Sequence, residues 1–372
     1  MDQTISKGKA FGFIILQLVL ATFYPMVVCS QQKQAKVANV ITTIDGKTIA
    51  IADFEKYLTR QMDSLKIPGL SIAVINHGSI VYSRNMGVKN AVSKEHADPG
   101  TIYEACSLSK PVFAYFALLM AARGVLDIDT PLYQYDMDKE VDFSNPFFRG
   151  LTARIVLNHA SGWPNWRDNK TPLLKFNFKP GTRSGYSGEG YQHLKRVLNS
   201  RLSTDDDHLN GYFQQAVVEP LHIRSMNYTW VEGMAMNNVY GHIKGRPTDN
   251  GPHGDPRQFD PASNLHTDAE GYARFIVKLM DTSDPVVDRL LQLQDQLPAE
   301  GDGLFRSLGF PYKLIDHKIR YFHSGDNGDA RAYCHFYKIR GQGSSCFATA
   351  TIFFHQVSQK KVLAFLDEPY PY

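Results

Sequence analysis

The sequence predicts an α/β (α+β) domain whose sheet draws on both ends of the chain, around a largely helical insertion. Three observations carry this. Two short apolar runs face each other across a turn near residues 70–83, three more strand-like runs lie beyond Gly303, and the stretch between them is loop and helix. At 372 residues, 43% hydrophobic and 21% charged, the chain can bury one large core or two interlocked ones.

The elements follow in order. Lys7 and Lys9 precede a nearly unbroken apolar run from Phe11 to Val28, interrupted mainly by Gln17. With Val28 and Ser30 three and one before a cut, residues 1–30 read as a secretory signal peptide, and the product as exported, periplasmic or secreted. The alternatives are an uncleaved membrane anchor, or lipid attachment at Cys29, which Val28 fits poorly. Residues 31–372 then form the domain, with a sheet region of about 50–132 plus 261–372 and a helical region of about 133–260.

Ile51 to Leu65 places Phe54, Leu58, Met62 and Leu65 at helical spacing, and Pro68-Gly69 stops it. Leu70 to Ile75, the turn Asn76-His77-Gly78, and Ser79 to Ser83 predict a β-hairpin. Ser107 to Arg123 is helical and almost wholly apolar after Pro111, with Gly124 at its C-terminal cap. Ile155 to His159, Tyr191 to Leu202, Gly211 to Leu221 and Thr267 to Met280 are further helices. Lys318 to Phe322, Ala330 to Lys338 and Phe347 to Phe354 are strands.

The formal net charge is +3, and losing Asp2, Lys7 and Lys9 with the leader leaves +2. So small an imbalance gives no reason to expect nucleic acid or an acidic membrane as partner. Membrane association is expected through the N-terminal segment alone. No zinc-finger spacing, phosphate loop or repeat is present, and His77, His242, His253, His266, His317 and His355 are scattered without metal spacing. No cofactor and no metal are therefore expected. Once the leader is removed, Cys106, Cys334 and Cys346 remain; buried thiols are favoured over a Cys334–Cys346 bridge.

One pair of residues carries chemistry. A serine and a lysine three apart share a helix face, and at a helix start the serine lies beside free N–H groups. That suits an acyl-transfer nucleophile, with an amine to share its proton and donors for an oxyanion. The pattern occurs at Ser6/Lys9, Ser30/Lys33, Ser107/Lys110 and Ser358/Lys361, but only Ser107/Lys110 opens a long apolar helix.

The run Tyr103-Glu104-Ala105-Cys106-Ser107-Leu108-Ser109-Lys110-Pro111-Val112-Phe113-Ala114 resembles the nucleophile segment of the serine beta-lactamase-related family, which includes class C beta-lactamases, D-alanyl-D-alanine carboxypeptidases, D-amino-acid peptidases and esterases. Gly124 to Leu132, Ile155 to Pro164 and Leu265 to Phe275 resemble later segments of the family in the expected order. The resemblance implies a beta-lactamase/transpeptidase-like fold, an antiparallel sheet flanked by helices. It also implies that the loop Lys179 to Tyr191 brings Tyr186 to the nucleophile, while Tyr191 packs behind. His323-Ser324-Gly325-Asp326 resembles the family's site-lining strand. The resemblance places the oxyanion hole at the backbone N–H groups of Ser107 and Asp326, and gives His323, Ser324 and Gly325 a part in substrate binding. His323 stands where beta-lactamases keep a lysine charge, and Gly188 where class C enzymes keep an asparagine.

The implied function is a hydrolase that cuts a small ester, amide or peptide through a Ser107 acyl-enzyme, with Lys110 and Tyr186 moving the proton. The departures at Gly188 and His323 favour an esterase or D-amino-acid peptidase over a beta-lactamase or penicillin-binding carboxypeptidase. A non-catalytic cell-wall or peptide-binding protein on the same fold is the alternative of another class. Trp163-Pro164-Asn165-Trp166-Arg167 reads either as a wall of the cleft or as aromatic core. Beyond Tyr337 the resemblance gives no match.

Overall fold

The computed structural model describes residues 39–136, 141–168, 173–249, 251–281, 283–293, 297, 303–315 and 318–339, and the backbone of 346–354. The leader expected at 1–30, Lys33, the Ser358/Lys361 pair, His317 and His355 lie outside these residues.

Helix α1, Ile51–Leu65, spans the range its periodicity predicts and buries Phe54, Leu58 and Met62 on one face. It ends at Lys66, whose φ of 54° is left-handed. Strands β1, Gly69–Asn76, and β2, Ser79–Gly87, form the expected hairpin. Its turn residues His77 (φ 49°) and Gly78 (φ 74°) are both left-handed, which matches the right-handed twist of the strands it joins.

The C-terminal strands are β3 (Phe305–Arg306), β4 (Pro311–Ile315), β5 (Lys318–Asp326), β6 (Arg331–Ile339) and β7 (Cys346–Phe354). They join the hairpin in one antiparallel sheet of order β3-β4-β5-β6-β7-β1-β2. The tail that the resemblance left unmatched therefore supplies the strand that links the two ends of the chain. Backbone pairing sets Ala350 opposite Ile75 and Ile352 opposite Ala73. Every residue of β1 is buried, because both faces of the sheet are covered. Ile72 and Val74 pack with α1, Phe322 and Tyr333. Ala73 and Ile75 point the other way, into the main core with Tyr321 and Phe336. This is the two-residue alternation of a strand.

That core is built on α2, Ser109–Ala122, in which eleven of fourteen residues are buried. Around it lie α3 (Gly188–Leu202), α4 (Asp206–Phe213) and α5 (Ala269–Leu279). Phe113 meets Tyr191 and Phe259 at ring-centroid distances of 6.0 and 6.1 Å. Side-chain oxygens of Ser187, Asp205 and Asp268 cap α3, α4 and α5. The helix expected over 211–221 is instead the end of α4 running into one wide turn, Gln214–Val218. The helix expected at Ile155 to His159 is the single turn Ala153–Leu157.

Cys106 and Cys334 are buried free thiols, as favoured. Cys346 pairs across the ladder with Ile339, whereas Cys334 faces Ile352. Among the described residues no helix is long and apolar enough to cross a membrane.

Candidate active site

Ser107 does not sit on α2 itself. It occupies a single 3-10 turn, Cys106–Leu108, that precedes the helix. The expected helix includes both because the 3-10 turn runs into α2 without a turn or breaker residue between them. Cys106 has a φ of 50°, left-handed for a residue with a Cβ; such backbone costs on the order of 1 kcal/mol and persists only where surroundings over-determine it. They do here. The Ala105 N–H donates to Leu265 O at 2.7 Å, the Leu265 N–H to Ser109 Oγ at 2.9 Å, and the Tyr272 hydroxyl to Leu108 O at 3.1 Å. Ser109 Oγ in turn donates to Cys106 O. Burial drives the Cys106 thiol pKa well above its usual value, so it is inert beside the serine.

Lys110 is fully buried one turn on. Its Nζ lies 3.4 Å from Ser107 Oγ, donates to Ala262 O at 2.7 Å, and stands 4.6 Å from the centre of the Tyr186 ring. The fold thus gathers Ser107, Lys110 and Tyr186 from a turn, a helix and a distant loop.

Tyr186 is held by a residue that the sequence reading did not single out. His159, with a φ of 60°, stacks on Tyr186 at 4.4 Å and on Tyr191 at 5.1 Å. Its carbonyl accepts from the Gly185 N–H at 2.7 Å and its Nδ1 from the Ser187 N–H at 3.1 Å. An imidazole whose Nδ1 accepts is neutral, with its proton on Nε2. Burial, reinforced by Arg306 and Lys110, pushes its pKa well below the ordinary histidine value. The only sequence signal was its place in the segment Ile155 to Pro164. Arg306 gave no local signal at all. Its guanidinium carbon lies 5.6 Å from the Tyr186 ring centre, and its Nε donates to Ser184 Oγ at 3.1 Å.

β5 carries His323-Ser324-Gly325-Asp326 past Ser107. A Cβ on Gly325 would meet Cys106 Cβ at 2.6 Å and Ser107 N at 2.8 Å, so only glycine permits this approach. His323 is a hydrogen-bond donor here. It is buried, its ring lies 6.2 Å from that of Tyr186, and its Nδ1 contacts Ser324 O at 2.9 Å. Since a carbonyl only accepts, Nδ1 holds the proton. Burial and then Lys110 lower its pKa to about 3. His323 is therefore a neutral donor ring at a position where, by the resemblance, beta-lactamases keep a lysine charge.

Gly188 has no room for a side chain. Its Cβ would fall 2.9 Å from Asn165 O and 3.0 Å from Trp166 Cη2, and its N–H donates to Asn165 Oδ1 at 3.0 Å. The loop bearing both residues is anchored by Arg167, whose Nε and terminal nitrogen reach Glu189 Oε1 and Oε2 at 3.0 and 2.6 Å. Trp163 is core, stacked on Phe176, whereas Trp166 is 48% exposed at the rim.

A family model described as Beta-lactamase matches residues 54–356. The chain belongs to the beta-lactamase family. Among curated family relatives, the Escherichia coli (strain K12) beta-lactamase is 22% identical over 279 residues, 70% of this chain and 69% of that one. Esterase EstB of Burkholderia gladioli is 25% identical over 127 residues, 33% of this chain and 31% of that one. Of the first curated relatives matched, the chain spans half the length or less. A solved structure of an octameric penicillin-binding protein homologue from Pyrococcus abyssi superposes with a TM-score of 0.68 at 18% identity, covering 86% of this chain and 78% of that one. The beta-lactamase/transpeptidase-like fold is thus the fold of this chain.

Proposed function

We propose that this family member is a serine hydrolase working through an acyl-enzyme on Ser107. The observation that carries the reading is Lys110, a fully buried ammonium 3.4 Å from Ser107 Oγ and against the Tyr186 ring. A buried cation with no carboxylate partner among the described residues is costly to maintain, and here it faces the one nucleophile of the site. In the proposed reaction Ser107 Oγ attacks the carbonyl carbon while its proton passes to Tyr186, which reacts as its phenolate beside the Lys110 charge. Lys110 and Arg306, both close to the Tyr186 ring, would favour that phenolate before it takes the proton. The Ser107 and Asp326 N–H groups hold the oxyanion. The proton returns to the leaving group, and water releases the acid in a second step.

The preferred substrates are small esters or D-amino-acid peptides rather than beta-lactams. Two observations support this: Gly188 is walled in by Asn165 and Trp166, so no amide side chain projects from that position, and His323 is neutral. Export to the periplasm or outside the cell completes the proposal, on the strength of the N-terminal charge and apolar pattern.

The test is covalent labelling of the purified protein by a fluorescent phosphonate and a fluorescent penicillin, with Ser107→Ala as control. Labelling by phosphonate, weak labelling by penicillin, and none in Ser107→Ala are expected. Absence of label from every serine-reactive probe would overturn the proposal in favour of a binding protein. Efficient penicillin turnover would overturn the substrate preference.

A further inference from the structure

Behind the oxyanion strand the fold assembles three groups that are far apart in sequence. Glu104 lies three residues before Ser107, Asp329 lies three after Asp326, and His253 comes from the loop that follows Thr248. One ligand atom from each falls within 4.8 Å of the others. All three line one cavity of about 230 Å³, together with Tyr240, Thr248 and Arg331.

The electrostatics of this cavity are unbalanced. Glu104 and Asp329 are 8% and 9% exposed. Buried carboxylates need a paired cation or a metal. The Arg331 guanidinium is engaged with Asp326 at 2.9 Å. Among the described residues that line the cavity, what remains is one imidazole, half exposed and paired with both, which cannot neutralise two carboxylates. Asp329 Oδ1 is buried and makes no hydrogen bond. A second orphan lies alongside: His266, the cross-strand partner of Glu104, is 2% exposed and its Nε2 has no hydrogen-bond partner.

We propose that Glu104, His253 and Asp329 form a divalent-cation site, and that its chemistry selects zinc. His253 Nε2 and Asp329 Oδ1 are 3.4 Å apart. That is about the edge of a tetrahedron whose ligands stand roughly 2.1 Å from a central zinc ion. Glu104 Oε1 is 2.9 Å from His253 Nδ1, placed either to orient the imidazole or to turn into the coordination shell. One nitrogen and two carboxylates make a borderline donor set, which suits zinc better than calcium or magnesium. The outer contacts fit a built site. Thr248 Oγ1 donates to Asp329 Oδ2 at 2.5 Å, and Asn327 Nδ2 donates to Glu104 Oε1, so each carboxylate is oriented by a neighbour. The cavity leaves room for water at the remaining position. A cation here ties the nucleophile segment to the turn after β5 and closes the His253 loop over both. Spacing along the sequence hides such a site, because its ligands come from three segments.

The test uses the full purified chain, stripped with chelator and dialysed against zinc at pH 7.5. About one zinc per chain with submicromolar dissociation is expected, and a rise in melting temperature of several degrees that calcium and magnesium do not reproduce. His253→Ala, which alters a half-exposed loop residue, is expected to fold normally, bind at least tenfold more weakly and lose the thermal shift. Asp329→Asn is expected to do the same. Fewer than about 0.2 zinc per wild-type chain would overturn the proposal and leave an ion-paired triad. So would equal zinc binding by wild type and His253→Ala. Phosphonate labelling of Ser107 is read separately, so the hydrolase reading stands or falls on its own.

Discussion

Gly325 presents its missing side chain to the backbone nitrogen of Ser107, so that a Cβ would stand 2.8 Å from that nitrogen and 2.6 Å from Cys106 Cβ. β5 and the Cys106–Leu108 turn are thereby locked at backbone contact distance. Gly325→Ala must push them apart by several tenths of an ångström, and the two N–H groups proposed to hold the oxyanion would separate. We expect kcat for a small ester to fall 10²–10³-fold, as when an oxyanion donor is lost, with a stability loss of about 1–3 kcal/mol from overpacking. Unchanged kcat in a folded Gly325→Ala variant would refute the assignment of the hole.

Gly188 poses the opposite question, since the resemblance places an asparagine there. The space is already filled by Asn165 O and the Trp166 ring. Gly188→Asn is expected to cost about 1–3 kcal/mol in urea unfolding without creating penicillin turnover. Adding Trp166→Ala, which removes an exposed rim side chain, should recover part of that loss. If the single variant is as stable as wild type and hydrolyses penicillin, the loop is not the barrier described.

Much of this architecture was legible in the sequence where a single period ran uninterrupted. Helix α1 and the β1–β2 hairpin match their patterns because each buries one face or pairs across a tight turn. Strand β4 escaped notice because it is five residues long and begins at a proline. The run Phe347 to Phe354 was legible as a strand, but its place between β6 and β1 was not, since register is settled by pairing and not by local propensity. Within the site, Ser107, Lys110 and Tyr186 lay in recognisable segments. His159 and Arg306 did not announce themselves. Each makes a ring contact with Tyr186 that exists only once the loop meets the chain after Ala153–Leu157, for His159, or the sheet edge, for Arg306.

The two neutral histidines beside Tyr186 make the protein sensitive to acid. His323 has a folded pKa of about 3, below the ordinary value of about 6.5. Between these pH values the unfolded chain binds a proton that the folded chain refuses. Stability is therefore full above about pH 6.5 and is lost as pH falls towards 3, by up to about 1.4 kcal/mol per pH unit for this group. His159 acts in the same direction. His323→Asn keeps a donor for Ser324 O but cannot titrate. Wild type is expected to lose about 2 kcal/mol more than His323→Asn between pH 7.5 and pH 5 in urea unfolding. Parallel curves would show that His323 titrates normally in the folded state.

Arg306 offers a test of charge at the site that leaves the core untouched. It is partly exposed on the edge strand β3, 5.6 Å from the Tyr186 ring centre, and it holds Ser184 Oγ at 3.1 Å. If its part is to stabilise charge on the Tyr186 oxygen during proton transfer, the loss should fall on kcat and not on KM. Arg306→Gln is expected to lower kcat about 10- to 100-fold, at or below the lower end of general acid–base contributions because Arg306 acts through Tyr186, with a melting temperature within a few degrees of wild type. Arg306→Lys restores a cation but not the planar fork that reaches Ser184, and should recover part of that kcat. A rise in KM at constant kcat would instead make Arg306 a substrate anchor, and equal loss in both variants would assign its effect to the Ser184 hydrogen bond.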